Sequence, residues 1–141
     1  YDTIRRICQA ISIPVYANGD ISTPQKAAEV LAHTGADGLM IGRGAYGKPW
    51  LLGQVMHWLR TGERIPTPSF DEQYETLVEH YERMLDHYGV NVGVKIARKH
   101  LGWYMDEPAT PLQMRKHMLT ATPAKVLAGL DQALQPMAAA A

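Results

Sequence analysis

The chain has 141 residues, with Lys+Arg 14 against Asp+Glu 14, 46% hydrophobic residues and 20% charged ones. That balance excludes a disordered tail, a collagen-like repeat and a chain that is basic throughout. The length allows one ordinary domain or two small ones and excludes a complete (β/α)₈ barrel, which needs roughly 200 residues or more.

Tyr1 to Ile11 reads as the end of a helix, with Ile4, Ile7 and Ile11 on one face. Ile13 to Ala17 is a short apolar run, expected as a buried parallel strand, and Asn18-Gly19-Asp20 ends it with turn chemistry. Thr23-Pro24 is an N-cap followed by proline at the first helical position. It predicts a helix carrying Ala27, Ala28, Val30 and Leu31 that stops near Thr34-Gly35. Gly38 to Ile41 is expected as a second buried strand, followed by Gly42-Arg43-Gly44 and a loop through Gly47-Lys48-Pro49. Trp50 to Arg60 resumes as a helix, with Leu51, Val55, Trp58 and Leu59 as its apolar positions. The order is that of successive βα units.

Residues 61–70, TGERIPTPSF, read as a linker rich in proline and turn residues. Everything after it reads as helical. Ser69 and Glu72 have capping-box spacing, and Tyr74, Leu77, Val78, Tyr81, Leu85 and Tyr88 mark one helical face. A second helix is expected from about Val92 to Met105. Thr110-Pro111 and Thr122-Pro123 open two more, and Met137–Ala141 is expected to fray. The expected division is an α/β part over 1–60, the linker over 61–70 and a four-helix part over 71–141.

Both strand-end loops precede helices, so they would share the carboxyl edge of a parallel sheet, where ligands bind. Glycine lets backbone N–H groups approach a phosphate, a helix N-terminus adds positive character, and Arg43 can add a charge-assisted bond. Asp20 would repel a phosphate, so its expected role is to hold the loop or bind a hydroxyl. Plain turns with a solvated arginine would carry the same residues.

The neutral total hides segregation. Asp71, Glu72, Glu75, Glu79, Glu82 and Asp86 fall in the first helix after the linker, and Lys95, Arg98, Lys99, Arg115, Lys116 and Lys125 in the later ones. Lys95, Arg98 and Lys99 form a basic patch beside His100, Trp103 and Tyr104, which suits a nucleic-acid backbone with stacking for unpaired bases; a solvated helix face with Trp103 and Tyr104 in the core would carry the same residues. No two of the histidines make a close metal-ligand pair such as H-x-x-x-H, so no metal is expected. Cys8, the single cysteine, permits no internal disulfide and reads as a small core residue, as Met84, Met114 and Met118 do. No apolar run reaches the roughly 20 residues of a membrane span. The opening on Tyr1 suggests a piece of a longer protein.

Taken together, IPVYANGDI, GADGLMIGRGAYGKPWLL, the TGE-containing linker and VGVKIARKHLGWYM resemble the flavin-dependent tRNA-dihydrouridine synthases, especially the bacterial B branch. The likeness runs from about Ile13 to Leu134. ANGDI and MIGRGA alone are moderately specific; their combination with GKPW and IARKHLGWY is highly specific.

The resemblance implies an α/β plus all-α chain: the last two βα units of an FMN-binding TIM barrel, then a helical tRNA-binding domain. Asn18, Gly19, Asp20, Gly42 and Arg43 look like the FMN contacts. Lys95, Arg98 and Lys99, with Arg115 and Lys116 as weaker candidates, look like contacts to tRNA phosphates, and the acidic helix is expected to face away from the RNA.

The implied reaction is reduction of uridine to 5,6-dihydrouridine in tRNA, with NADPH as reductant, in the cytoplasm. The family's acid is a cysteine on an earlier barrel loop; that loop is absent here and Cys8 does not occupy its position. The chain alone is therefore expected to be inactive, and Tyr1–Arg60 to be marginal or associated with another copy. Rival readings are an FMN barrel oxidoreductase acting on a small molecule, which leaves the basic helices unexplained, and a non-catalytic RNA-binding module.

Overall fold

The computed structural model describes residues 1–105 together with Val126 and Gly129. The helix expected from Thr110-Pro111, and with it Arg115, Lys116, Met114, Met118 and the terminal segment, lies outside the described residues; of the one expected from Thr122-Pro123 only Val126 and Gly129 are described, both helical. The chain divides into two compact units, Tyr1–Thr67 and Pro68–Ala141.

The first unit runs α1 (Asp2–Ala10), β1 (Tyr16–Asn18), α2 (Pro24–Thr34), β2 (Gly38–Met40), a one-turn 3₁₀ helix (Arg43–Ala45) and α3 (Leu51–Thr61). β1 and β2 pair in parallel, Ala17 opposite Leu39 and Asn18 opposite Met40. The Thr23 side chain accepts from the Lys26 N–H, Pro24 follows it, and Gly35 closes α2 in a left-handed conformation. The core gathers Ala17, Ile21, Ala27, Val30, Leu51 and Val55, with Ile4, Ala36, Leu39 and Ile41 packed against it.

The strands differ from the expectation of full burial. β1 begins at Tyr16, not Ile13, and only Ala17 is buried in it; no residue of β2 is. Successive strand side chains point to opposite faces. Ala17 and Leu39 meet the core, whereas Tyr16 and Met40 stand on the other face, 67% and 61% exposed. A parallel strand reads as continuously apolar because both faces are meant to be covered. Among the described residues only one face is covered. Likewise α1 has no buried residue: Ile4 reaches the core, but Ile7 and Ile11 are exposed.

The second unit opens with α4 (Phe70–Tyr88), started by the expected capping box: Ser69 accepts from the Glu72 N–H, and the Glu72 carboxylate accepts from the Ser69 N–H. A single residue, Gly89, separates α4 from α5 (Val90–Tyr104), so the second helix starts two residues before Val92. With φ +74 and ψ 157, Gly89 takes a conformation that L side chains rarely adopt. Leu77, Tyr81 and Met84 of α4 are buried, as are Gly93, Ala97, Leu101 and Tyr104 of α5. The helices approach closely at Gly93, where an added Cβ would lie 2.8 Å from the Met84 carbonyl oxygen.

Candidate functional site

The two strand-end loops are brought together at the carboxyl edge of the sheet. Asn18 is the last residue of β1, and its Nδ2 donates to the Met40 carbonyl at 2.9 Å, fastening the ends of the two strands to each other. Gly19 follows with φ +137, and the Tyr1 hydroxyl donates to its carbonyl. Asp20 carries φ +41, the single non-glycine residue with positive φ among those described. Its carboxylate accepts from Arg43 Nη2 at 2.9 Å, although both side chains remain largely exposed. The acid that would repel an anion on its own thus balances the cation of the opposite loop and aims it.

Gly42 and Gly44 differ in what surrounds them. A Cβ at Gly42 would meet nothing within 4 Å, whereas one at Gly44 would lie 2.1 Å from the Ile21 carbonyl oxygen. Gly44 is therefore where the second loop presses backbone against backbone on the first. It stands outside the five site residues read from the sequence. Its signal, a glycine two residues after another at a strand end, was visible in GRG; the partner Ile21 was not. The 3₁₀ turn begins its own hydrogen bonding with Ala45 N–H to the Gly42 carbonyl. The N–H groups of Arg43 and Gly44 precede that bond and have no acceptor within the turn. These N–H groups lie beside the exposed Arg43 guanidinium, and Gly42 leaves the space next to them open.

In the helical unit Lys95, Arg98 and Lys99 are all exposed. Helical spacing places them on the side of α5 opposite Gly93, Ala97, Leu101 and Tyr104. Trp103 is half-buried, with Lys99 Nζ 5.2 Å from its ring centroid, so the ring adjoins the basic face and is not wholly core. Sequence reading missed the group beside it. His80 of α4 lies edge-on to His100 of α5 at 4.9 Å between centroids, and His80 Nδ1 is 3.4 Å from the Tyr104 hydroxyl. Burial holds both imidazoles below the usual histidine range, aided at His100 by the charges of His80 and Lys99, and pushes Tyr104 up to about 12. The i, i+4 pattern places a histidine on each helix but does not show that they meet.

Among the described residues no group of three or more His, Cys, Asp or Glu could hold a metal ion, and no helix is long and apolar enough to cross a membrane. Cys8 is half-buried on α1, which precedes β1, so it stands away from the loops at the strands' other end.

The sequence model of the dihydrouridine synthase family (Dus) matches residues 1–139. The chain belongs to the dihydrouridine synthase family. It is 57% identical over 104 residues to a probable tRNA-dihydrouridine synthase of Rickettsia conorii, covering 74% of this chain and 31% of that protein. It is 55% identical over 105 residues to tRNA-dihydrouridine synthase B of Pseudomonas putida, over 74% of this chain and 31% of the relative. With tRNA-dihydrouridine synthase B of Xanthomonas axonopodis pv. citri the identity is 57% over 104 residues, again 74% and 31%. The chain fits the B-type branch and spans about a third of the length of the curated relatives it matches. Membership implies the TIM barrel, with which the two parallel strands and their helices are compatible as part of one.

Proposed function

We propose that this chain supplies the flavin-phosphate edge and a tRNA-binding surface to a B-type tRNA-dihydrouridine synthase. Such an enzyme reduces a uridine of tRNA to 5,6-dihydrouridine in the cytoplasm. The observation that carries the reading is the meeting of the two strand-end loops, Gly44 packed on Ile21 and Arg43 paired with Asp20, within a chain of this family.

When bound, FMN supplies the hydride that saturates the uracil 5,6-double bond, with NADPH as the source of reducing equivalents. The residues that would hold it are Asn18, Gly19, Asp20, Gly42 and Arg43, with Gly44 supporting them. The Arg43 and Gly44 N–H groups and the Arg43 guanidinium would donate to the phosphate, and Asp20 keeps the guanidinium turned toward the loops. The acid that protonates the base would come from a cysteine outside this chain, since Cys8 lies on α1, before β1. The four-helix part over 71–141 would take the RNA, with Lys95, Arg98 and Lys99 meeting backbone phosphates. Arg115 and Lys116 are further candidates.

The test uses the longer protein that carries this chain. Arg43→Ala should weaken FMN about tenfold to a hundredfold, the loss expected of one charge-assisted bond. Arg98→Ala/Lys99→Ala should weaken every tRNA alike and lower the slope of log affinity against log salt by about 0.7–0.9 for each phosphate no longer neutralised. A folded double mutant with the parent's affinity and slope would move the RNA surface elsewhere. Dihydrouridine formation by the 141-residue chain alone, given FMN and NADPH, would overturn the assignment of an acid outside it.

A further inference from the structure

The linker segment, residues 61–70, is tied down almost throughout. Thr61 Oγ1 donates to the His57 carbonyl at 2.9 Å and accepts from the Glu63 N–H at 3.1 Å. The Gly62 N–H donates to the Trp58 carbonyl at 2.9 Å. The Arg64 guanidinium lies 5.9 Å from the Trp58 ring centroid. With the Gln25 amide turned so that its oxygen faces Arg64, it accepts from Nε at 2.9 Å and Nη2 at 3.0 Å. Gln54, half-buried on α3, spends its amide nitrogen on two successive carbonyls, Ile65 at 3.4 Å and Pro66 at 3.2 Å.

Beyond this point the ties belong to the helical unit. Gln73 Nε2 donates to the Pro68 carbonyl at 2.7 Å, and the Ser69 N–H to the Glu72 carboxylate at 2.7 Å. Among the described residues of the segment, Thr67 alone has no such tie. It stands between Pro66 and Pro68, and a residue before proline is biased to extended backbone.

We infer that Gln54 and Arg64 are positioning residues: they clamp residues 61–66 to the α/β unit, confine the hinge to Thr67, and thereby raise affinity for a substrate that engages both units. The inference rests on the tRNA reading above. A free ten-residue linker has a root-mean-square span of roughly 16–19 Å, over which a second binding surface would wander. One stiff joint restricts that volume and raises the effective concentration of the second surface for a substrate held by the first. These side chains meet Ile65, Pro66, Gln25 and Trp58, which lie outside the two strand-end loops, so the clamp acts on substrate affinity and leaves the chemistry alone.

The experiment compares the parent, Gln54→Leu, Arg64→Ala and the double variant in the longer flavin-loaded protein, with flavin content and melting temperature as folding checks. Glu-C cleavage at Glu63–Arg64 should speed up at least fivefold in Gln54→Leu. The KM for tRNA should rise about three- to tenfold, with kcat and tRNA-independent NADPH oxidation unchanged. Unchanged cleavage refutes the clamp. Faster cleavage with an unchanged KM, beside a parent that reduces tRNA, refutes the positioning role alone. A parent that binds no tRNA refutes the functional reading and the positioning role with it. If one single variant fails to fold, the other carries the same comparison.

Discussion

Gly44→Ala tests the packing of the two loops most directly. The new methyl would lie 2.1 Å from the Ile21 carbonyl oxygen, 3.0 Å from the Ile21 carbonyl carbon and 3.2 Å from the Ser22 Cα. Carbon–oxygen contacts settle at about 3.3 Å or more, so the 3₁₀ turn must retreat by about 1.2 Å. Overpacking of this kind costs about 1–3 kcal/mol, and an obstruction made of backbone puts the expected loss at about 2–3 kcal/mol. Gly42→Ala is the comparison: its Cβ meets nothing within 4 Å, so the expected loss is smaller than that of Gly44→Ala. Urea denaturation without added flavin separates the two. On the flavin reading proposed above, Gly42→Val should in addition lower flavin content, because its side chain would fill the open space beside the loop. A Gly44→Ala variant within 0.5 kcal/mol of the parent, on the roughly ±0.5 kcal/mol scale of ordinary surface substitutions, would refute the packing argument. So would a Gly42→Ala variant equally damaged without flavin.

Gly93→Ala should lower the stability of the helical unit by about 1–3 kcal/mol in thermal melts followed by circular dichroism, because its Cβ would lie 2.8 Å from the Met84 oxygen and 2.9 Å from the Leu85 Cα. Thr23→Ala should cost about 1 kcal/mol, read by denaturant titration, through removal of the cap on the Lys26 N–H. His80 and His100 have folded pKa values below the ordinary 6.5, so the stability they carry is whole above about pH 6.5 and is lost as pH falls through the lowered values. The melting temperature of the helical unit should therefore drop from about pH 7.5 to pH 5, and His80→Gln/His100→Gln should flatten the curve; equal slopes in parent and variant would count against the buried pair.

Local signals were legible wherever the deciding contact is close in sequence. The Thr23-Pro24 start, the Gly35 stop and the Ser69–Glu72 box all stand in the structure as their spacing indicates. Contacts distant in sequence were not legible. Nothing in GRG shows that Gly44 meets Ile21, and nothing in NGD shows that Asp20 meets Arg43. The strand burial failed for the same reason: Ile13 is as apolar as Ala17, yet stands 69% exposed, because burial depends on what covers the second face. In residues 61–70 the prolines and glycine mark irregular backbone, but nothing in their spacing shows the ties that Gln54 and Arg64 make there.

The Gly89 joint also bears on the order in which the chain folds. It connects 19- and 15-residue helices through one residue, so the first contacts between them close short loops. Short loops lose little entropy on closure, and topologies rich in such local contacts fold in microseconds to milliseconds. β1 and β2 pair only after a whole helix has been laid between them, Tyr16 with Gly38. The basic face of α5 is therefore expected to assemble on a hairpin that zips before the parallel strands find their register, so that a slow folding phase would belong to the sheet.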